Sequence, residues 1–316
     1  MSGAVAFPRV GLLTNPTAGR GRGAAYGVRA AAAFRAAGHE IVDLSGPDEA
    51  TAARRAWEAL GADLVDVLTV VGGDGMVHLG ANLCAGRPIP LAVIAAGTGN
   101  DNARELGLPV RDPNAAAALV TAGRTRSVDL GRCTTATGET RWWIGVLGGG
   151  FDSVVSERAS RMRWPRGPMR YNLAVARELP VFRPIPYVIT VDGERNATEA
   201  MLVAVANGPA FGGGMRVAPH ASYDDGLLDI VILHRVSRAE FVRVFSRVFR
   251  GTHVTHPRVE ILRGRHVRLE APGIVTQADG ERFEPLPLDL EVVPGALRLI
   301  LPATGRVGTT HVIDDP

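Results

Sequence analysis

One hexapeptide, Val70-Val71-Gly72-Gly73-Asp74-Gly75, constrains this chain more than any other stretch. The apolar run 68–71 predicts a short buried strand. Three glycines and one aspartate follow at once, and a helix is expected from about Met76. A glycine-rich turn between strand and helix presents backbone N–H groups and a helix N-terminus to an anion. Glycine permits this because it has no Cβ to hold a ligand off and adopts φ > 0. Asp74 sits in that turn and would repel bare phosphate, so a divalent cation or a hydroxyl belongs in the same site. An ordinary strand–helix turn, with glycine for geometry alone, is the competing reading of this stretch.

The flanking sequence repeats the pattern. Strands are expected at 10–14, 40–44, 68–71 and 90–95, separated by helices at 24–37, 50–60 and 76–84. Such alternation predicts a doubly wound, mostly parallel sheet, which binds ligands at the carboxyl ends of its strands. Three polar or glycine-rich turns fall at those ends, at 15–23, 72–75 and 97–101. In the first, Asn15 and Thr17 can hydrogen-bond, Gly19 and Gly21 permit tight turns, and Arg20 and Arg22 bring positive charge; a flexible basic loop is the alternative. In the third, Thr98 can bond a phosphate or ribose oxygen. Asp101 suits a helix N-cap and Arg104, one turn on, can pair with it.

From about Ser127 short β-like segments take over, at 142–147, 187–191, 201–206, 228–233, 258–262, 266–269 and 288–292. They predict an antiparallel sandwich or barrel, interrupted by helices at 152–160, 171–179 and 238–249. A chain of 316 residues exceeds what one core usually serves. The expected division is a nucleotide-binding α/β domain over 1–126 and a substrate-binding β-sandwich domain over 127–294. The last apolar segment, 295–302, is expected to pack back on the first domain.

Composition removes several function classes. The basic residues are all arginine, which excludes a Walker A loop, lysine Schiff-base chemistry and the protein-kinase lysine. Any cationic phosphate clamp must therefore use arginine. A net charge of +3 is too small to argue for nucleic acid, and none is expected as a partner. Cys84 and Cys133 lie far apart without CxxC spacing and fit a reducing cytosol. No apolar run approaches the roughly 18 residues of a membrane span, and no Gly-x-Ser-x-Gly elbow supports acyl transfer. His253 and His256 have i,i+3 spacing without a third ligand nearby and read as loop or surface; Trp142 and Trp143 read as sandwich packing.

Taken in order, Asn-Pro-x-x-Gly at 15–19, Gly-Gly-Asp-Gly at 72–75, and Gly-Thr-x-Asn-Asp at 97–101 with an arginine three further on resemble the diacylglycerol kinase catalytic family. That family includes bacterial lipid kinases and the sphingosine and ceramide kinases. The second half continues the resemblance with Gly-Gly-Gly-Phe-Asp at 148–152, Ala-Asn-Gly at 206–208, and Gly212-Gly213-Gly214. Ala218-Pro219, the Asp-Asp-Gly-Leu-Leu-Asp run at 224–229 and Asp279-Gly280-Glu281 follow, so the likeness spans roughly 8–302. The resemblance implies an ATP-dependent lipid kinase that phosphorylates the hydroxyl of diacylglycerol, working in the cytoplasm and reversibly at the inner membrane face. A homodimer stays open. It implies an ATP site formed by Asn15, Pro16, Thr17, Ala18, Gly19, Arg20, Ser45, Gly72, Gly73, Asp74, Gly75 and Thr98. Glu281 is implied as the general base. A structural Mg2+ is implied near Ser222, Asp225 and the Leu227 carbonyl, with Asp74 and Asp101 ordering water and metal near the phosphates and Arg104 between them. Phospholipid biosynthesis is the expected setting.

The chain departs from the family pattern at three places. Arg20 replaces the usual lysine, Met76 the usual threonine, and His78-Leu79 the usual asparagine–glutamate pair. Two alternatives to the lipid kinase are NAD kinase, which shares the Gly-Gly-Asp-Gly turn, and a silent nucleotide-binding regulator; a kinase for a sphingoid alcohol is a third. A soluble chain must also reach its lipid. Between 158 and 183 arginines occur at 158, 161, 163, 166, 170, 177 and 183 against the single acid Glu178. Arg161, Arg163, Trp164 and Arg166 are the expected docking patch for an anionic surface. The 238–250 helix, with an apolar face opposed by arginines, is expected to pack on the sandwich.

Overall fold

The computed structural model describes residues 7–135, 138–162, 164 and 168–303. Its first part comprises β1 (Arg9–Thr14), α1 (Ala18–Ala36), β2 (Glu40–Asp43), α2 (Glu49–Gly61), β3 (Val67–Gly72), α3 (Asp74–Cys84), β4 (Leu91–Ala95), α4 (Asp101–Glu105) and α5 (Pro113–Ala122). The strands pair in parallel in the order β2–β1–β3–β4. Period-two alternation explains why helices cover both faces. Val10 and Leu12 of β1, Val67 and Val71 of β3, and Ala92 and Ile94 of β4 pack with Phe34 of α1 and Val120 of α5. The alternate residues Leu13, Leu68, Val70 and Val93 pack with Leu60 of α2 and with Val77 and Ala81 of α3. Each such large side chain removed from water contributes about 1.5–3 kcal/mol. A period-two run apolar on both phases is therefore held in the middle layer.

The second part comprises β5 (Thr125–Thr134), β6 (Thr140–Trp143), β7 (Val146–Gly150), α6 (Phe151–Arg161), α7 (Pro168–Glu178), β8 (Ile185–Val191), β9 (Glu194–Ala206), β10 (Leu228–His234), α8 (Arg238–Val248), a 3-10 turn (Thr252–Thr255), β11 (Val259–Gly264), β12 (His266–Glu270), β13 (Val275–Ala278), β14 (Glu281–Pro285) and β15 (Leu288–Ile300). Its strands pair antiparallel around a core of Trp143, Leu147, Tyr187, Val203, Ile230, Val267 and Leu290. On β10, Ile230 and Ile232 face that core while Leu233 packs with Phe241 and Val244 of α8. The amphipathic helix expected at 238–249 thus lies on the sheet, its Phe249 half-exposed at the end. Trp143 is fully buried and sits so close to Gly131 that a Cβ there would lie 2.0 Å from the indole.

β15 links the two parts. Its first half pairs with β12 and β5 in the sandwich, and its end reaches β4 in parallel through Leu299 and Leu91. The irregularity between Val293 and Leu297 contains Gly295 at φ 63°, and the buried Asp129 carboxylate holds that bend by accepting the Gly295 N–H at 2.8 Å.

Several local expectations are corrected. Helix α3 begins at Asp74 rather than Met76, because Gly73 is its extended N-cap and Met76 N already donates to Gly73 O at 3.0 Å. The single strand expected over 142–147 is two strands, interrupted at Ile144 and Gly145, whose N–H groups are taken by Asp279. Strands β5, β13 and β14 were not anticipated from the periodicity. His253 is buried rather than on the surface; its Nε2–H donates to Val217 O at 2.9 Å, and burial holds its pKa below the ordinary histidine value.

Candidate active site

The three turns expected at the carboxyl ends of β1, β3 and β4 do meet. Asn15 N donates to Val71 O at 3.0 Å, and an added Cβ on Gly97 would stand 2.5 Å from the Gly73 Cα. Only glycine at both places allows this approach. Gly19, Arg20 and Gly21 are all left-handed, at φ 58°, 65° and 91°, so the regular part of α1 starts beyond them and points its N-terminus at the cleft. The cleft has a volume of about 550 Å³ and is lined by Asn15, Ala18, Gly19, Gly73, Asp74, Gly75, Thr98 and Asp101. Gly212, Gly213, Asp279, Gly280 and Glu281 of the second part close it.

Asp74, Asp101 and Glu281 converge there. Asp74 Oδ1 accepts the Asn102 N–H at 3.1 Å, and its Oδ2 lies against Gly99, where a Cβ would come within 2.8 Å. Burial, and then the neighbouring charge of Asp101, raises the Asp74 pKa. The N-terminus of α3 offsets part of that cost. Asp101 is 3% exposed; its Oδ2 accepts the Gly213 N–H at 2.5 Å and its Oδ1 the Arg104 guanidinium at 3.1 Å. Asp101 is not the N-cap. Asn100 holds that position in the left-handed region and closes the loop on itself, accepting from Gly97 N and donating to Gly97 O, both at 2.9 Å. Glu281 opens β14, with Oε1 so near Gly75 that a Cβ there would meet it at 2.8 Å.

The other residues singled out from sequence are distributed around this cleft. Pro16 and Ser45 line an adjoining pocket of about 360 Å³ with Thr14, Asp43 and Gly46. Ser45 fixes the first turn by accepting Thr14 N at 3.1 Å. Thr17 folds back on Asn15 Oδ1 at 2.8 Å, Gly72 packs under Met76, and Arg20 is exposed. Arg104 is half-exposed and pairs with Asp101. Arg22 comes closer to the first turn than Arg20: its guanidinium lies across Gly19, and its Nε is buried with no hydrogen-bond partner among the described residues. An anion between the first and third turns would satisfy it. The sequence shows both arginines in this turn, but which of them lies against Gly19 depends on three successive left-handed residues.

Two buried aspartates hold this frame. Asp279 Oδ1 accepts Gly145 N at 2.7 Å, and its Oδ2 accepts Ile144 N at 3.0 Å. Asp129 accepts Gly226 N and Gly295 N, each at 2.8 Å, and so ties the 222–227 loop to the β15 bend. On that loop Ser222 Oγ donates to Asp224 at 2.7 Å, and Asp225 receives Leu227 N at 3.1 Å and the Arg263 guanidinium. Burial, then the charges of Asp225 and Asp224, raises the Asp129 pKa; burial also raises that of Asp229, whose Oδ2 is buried without a partner among the described residues. Crowded carboxylates and an orphaned oxygen suit a hard cation. Among the described residues no three His, Cys, Asp or Glu side chains form a metal cluster. The expected set of a hydroxyl, one carboxylate and a carbonyl would not make one.

Behind the Gly212–Gly214 turn a narrow apolar cavity of about 40 Å³ runs between α8 and the sheet, lined by Phe151, Phe211, Met215, Phe241, Phe245 and His253. Elsewhere on the surface Trp164 is 76% exposed, with Met169 and Val181 also exposed. Arg161 is exposed and pairs with Glu157 at 2.6 Å, and Arg158 pairs with Glu178, so part of the positive charge counted from sequence is neutralised locally. Arg163 and Arg166 lie outside the described residues. No described helix is long and apolar enough to cross a membrane.

An α/β domain whose strand-end turns face acidic residues of a β-sandwich is the fold that solved lipid-kinase relatives and an NAD kinase share. The chain matches the diacylglycerol kinase catalytic domain over residues 9–133 and the YegS C-terminal NAD kinase beta sandwich-like domain over 145–301. It is 41% identical over 298 residues to a diacylglycerol kinase of Mycobacterium tuberculosis, covering 94% of this chain and 96% of that one. It is 29% identical over 299 residues to the diacylglycerol kinase of Bacillus subtilis, covering 93% and 96%. The structure of a putative diacylglycerol kinase from Bacillus anthracis superposes with a TM-score of 0.76 at 25% identity, covering 95% of this chain and 99% of that one. An NAD kinase from Archaeoglobus fulgidus solved with ATP shares the fold at a TM-score of 0.54 and 13% identity, covering 92% and 93%. The chain belongs to the diacylglycerol kinase catalytic family and is a lipid kinase.

Proposed function

We propose that the chain transfers the γ-phosphoryl group of ATP to the free hydroxyl of diacylglycerol, giving phosphatidic acid for phospholipid biosynthesis. The observation that carries this reading is the placement of Glu281 opposite the glycine turns, with Asp74 and Asp101 on the nucleotide side of the same cleft. The turn N–H groups and the α1 N-terminus bind the phosphates, which supplies most of what phosphoryl transfer needs. Glu281 accepts the proton of the lipid hydroxyl. The hydroxyl oxygen forms its bond to the γ-phosphorus as the bond to the β,γ-bridging oxygen breaks and ADP leaves. Ser222, Asp225 and the Leu227 carbonyl would hold Mg2+, which when bound offsets the carboxylate charge gathered by Asp129 and Asp229. The names of the relatives support diacylglycerol over a sphingoid alcohol or NAD. The apolar cavity behind Gly213 supports an acyl substrate, provided α8 moves outward to widen it. The lipid would be met at the membrane through Arg161, Arg163, Trp164 and Arg166. Whether two copies associate would be settled by mass in solution.

The test is transfer from γ-labelled ATP to diacylglycerol, to a sphingoid base and to NAD, with Glu281→Gln alongside. Label should enter diacylglycerol, and the variant should lose about 10²–10⁴-fold in turnover while still binding ATP. Near-normal turnover in the variant removes Glu281 as base. Preferential labelling of NAD removes the lipid reading.

A further inference from the structure

We propose that His78 is a positioning residue, locking the turn that carries Glu281 to the helix that carries Asp74; this rests on the reading of Glu281 as the base. Asp74 and His78 stand four apart on α3, so they share one face of that helix. His78 Nδ1 lies 2.9 Å from Asp279 Oδ2, across 201 residues of chain. The Asp279 side chain is fully buried. Asp279 and Gly280 are both left-handed, at φ 53° and 88°, and form the turn from which Glu281 emerges. Asp279 therefore has its backbone in a sparsely populated conformation and its carboxylate clamped by Ile144, Gly145 and His78. Of these three donors only His78 belongs to the α/β part, so it couples the nucleotide turn to the base turn.

The neighbouring amide holds the backbone that carries the imidazole, and the carboxylate orients the ring. Asn82 Oδ1 accepts Trp142 N and Asn82 Nδ2 donates to Trp142 O, both at 3.0 Å, which leaves its amide one orientation. The second Nδ2 hydrogen goes to His78 O at 2.9 Å, so Asn82 ties the α3 backbone at His78 to Trp142. The Asp279 carboxylate only accepts, so Nδ1 carries a proton directed at it. An asparagine amide nitrogen occupies the position of Nδ1, so either side chain can donate to Asp279, whereas glutamine places its donor one bond further out.

Three variants and one spectrum test this. His78→Ala and His78→Gln should each lower kcat at least tenfold, with the KM for ATP and the affinity for a fluorescent ATP analogue within twofold of the parent. His78→Asn should return kcat to within threefold. In the unsubstituted protein, ¹⁵N-labelled histidine spectra should report the Nδ1–H tautomer for His78, assigned by its loss in His78→Asn. An Asn variant no better than Gln, a KM effect without a kcat effect, or an Nε2–H tautomer would each overturn the proposal. If the parent transfers no phosphate to any lipid, the kinase reading fails, and the tautomer alone then decides whether His78 donates to Asp279.

Discussion

Asp101→Asn probes the contact that holds the two parts of the site together. The carboxylate accepts the Gly213 N–H at 2.5 Å and the Arg104 guanidinium at 3.1 Å, and it is almost wholly buried. Asparagine keeps one oxygen, enough for Gly213, but turns a charge-assisted bond of about 1.5–3 kcal/mol into a neutral one of about 0.5–1.5 kcal/mol. The net loss is about 1–2 kcal/mol. At about 1.4 kcal/mol per tenfold, the closed arrangement of the Gly212–Gly214 turn becomes roughly 5- to 30-fold less populated. Steady-state kcat/KM with dispersed diacylglycerol should fall by at least that factor. Arg104→Ala serves as the comparison: Arg104 is half-exposed, and an exposed pair contributes about 0–1 kcal/mol, so its loss should cost under about fivefold. If Asp101→Asn stays within twofold of the parent, or Arg104→Ala is the more damaging, the bond to Gly213 does not organise the site.

Asp74→Asn should abolish most activity yet raise thermal stability at neutral pH. The folded Asp74 pKa lies above its ordinary value of 3.8, so the folded chain binds the proton more tightly and stability falls as pH rises through that window. The variant's advantage should close below about pH 3.9, and a gap that is constant with pH or reversed in melting curves would refute the burial argument. Arg22→Ala should raise the KM for ATP about tenfold, as expected for losing one charge-assisted bond, while Arg20→Ala stays within twofold; equal effects in kinetics would return the role to Arg20. Trp164→Ala should weaken sedimentation with anionic liposomes and lower activity on bilayer diacylglycerol but not on a short-chain, water-dispersed analogue. Unchanged sedimentation would dismiss the docking patch.

The α/β half and the three turns were legible in the sequence because strand, glycine turn and helix are local, and a doubly wound sheet brings successive turns to one edge. The β-sandwich was legible as texture. Its strands β5, β13 and β14 were not: beyond the local pairs β5–β6 and β13–β14, β5 is completed by the remote β15 and β13 by the remote β7. Sequence order placed Asp74, Asp101 and Glu281 among the motif residues, but nothing in it put Glu281 beside Gly75 or Asp101 against Gly213. Those contacts follow from long-range pairing of β15 with both sheets and from the left-handed turn at Asp279. His78 read as a departure from the family pattern in the sequence, since a motif compares residue types. In the folded protein its Nδ1–H reaches Asp279 and supplies a donor, because hydrogen-bond chemistry depends on where the proton points rather than on which residue carries it.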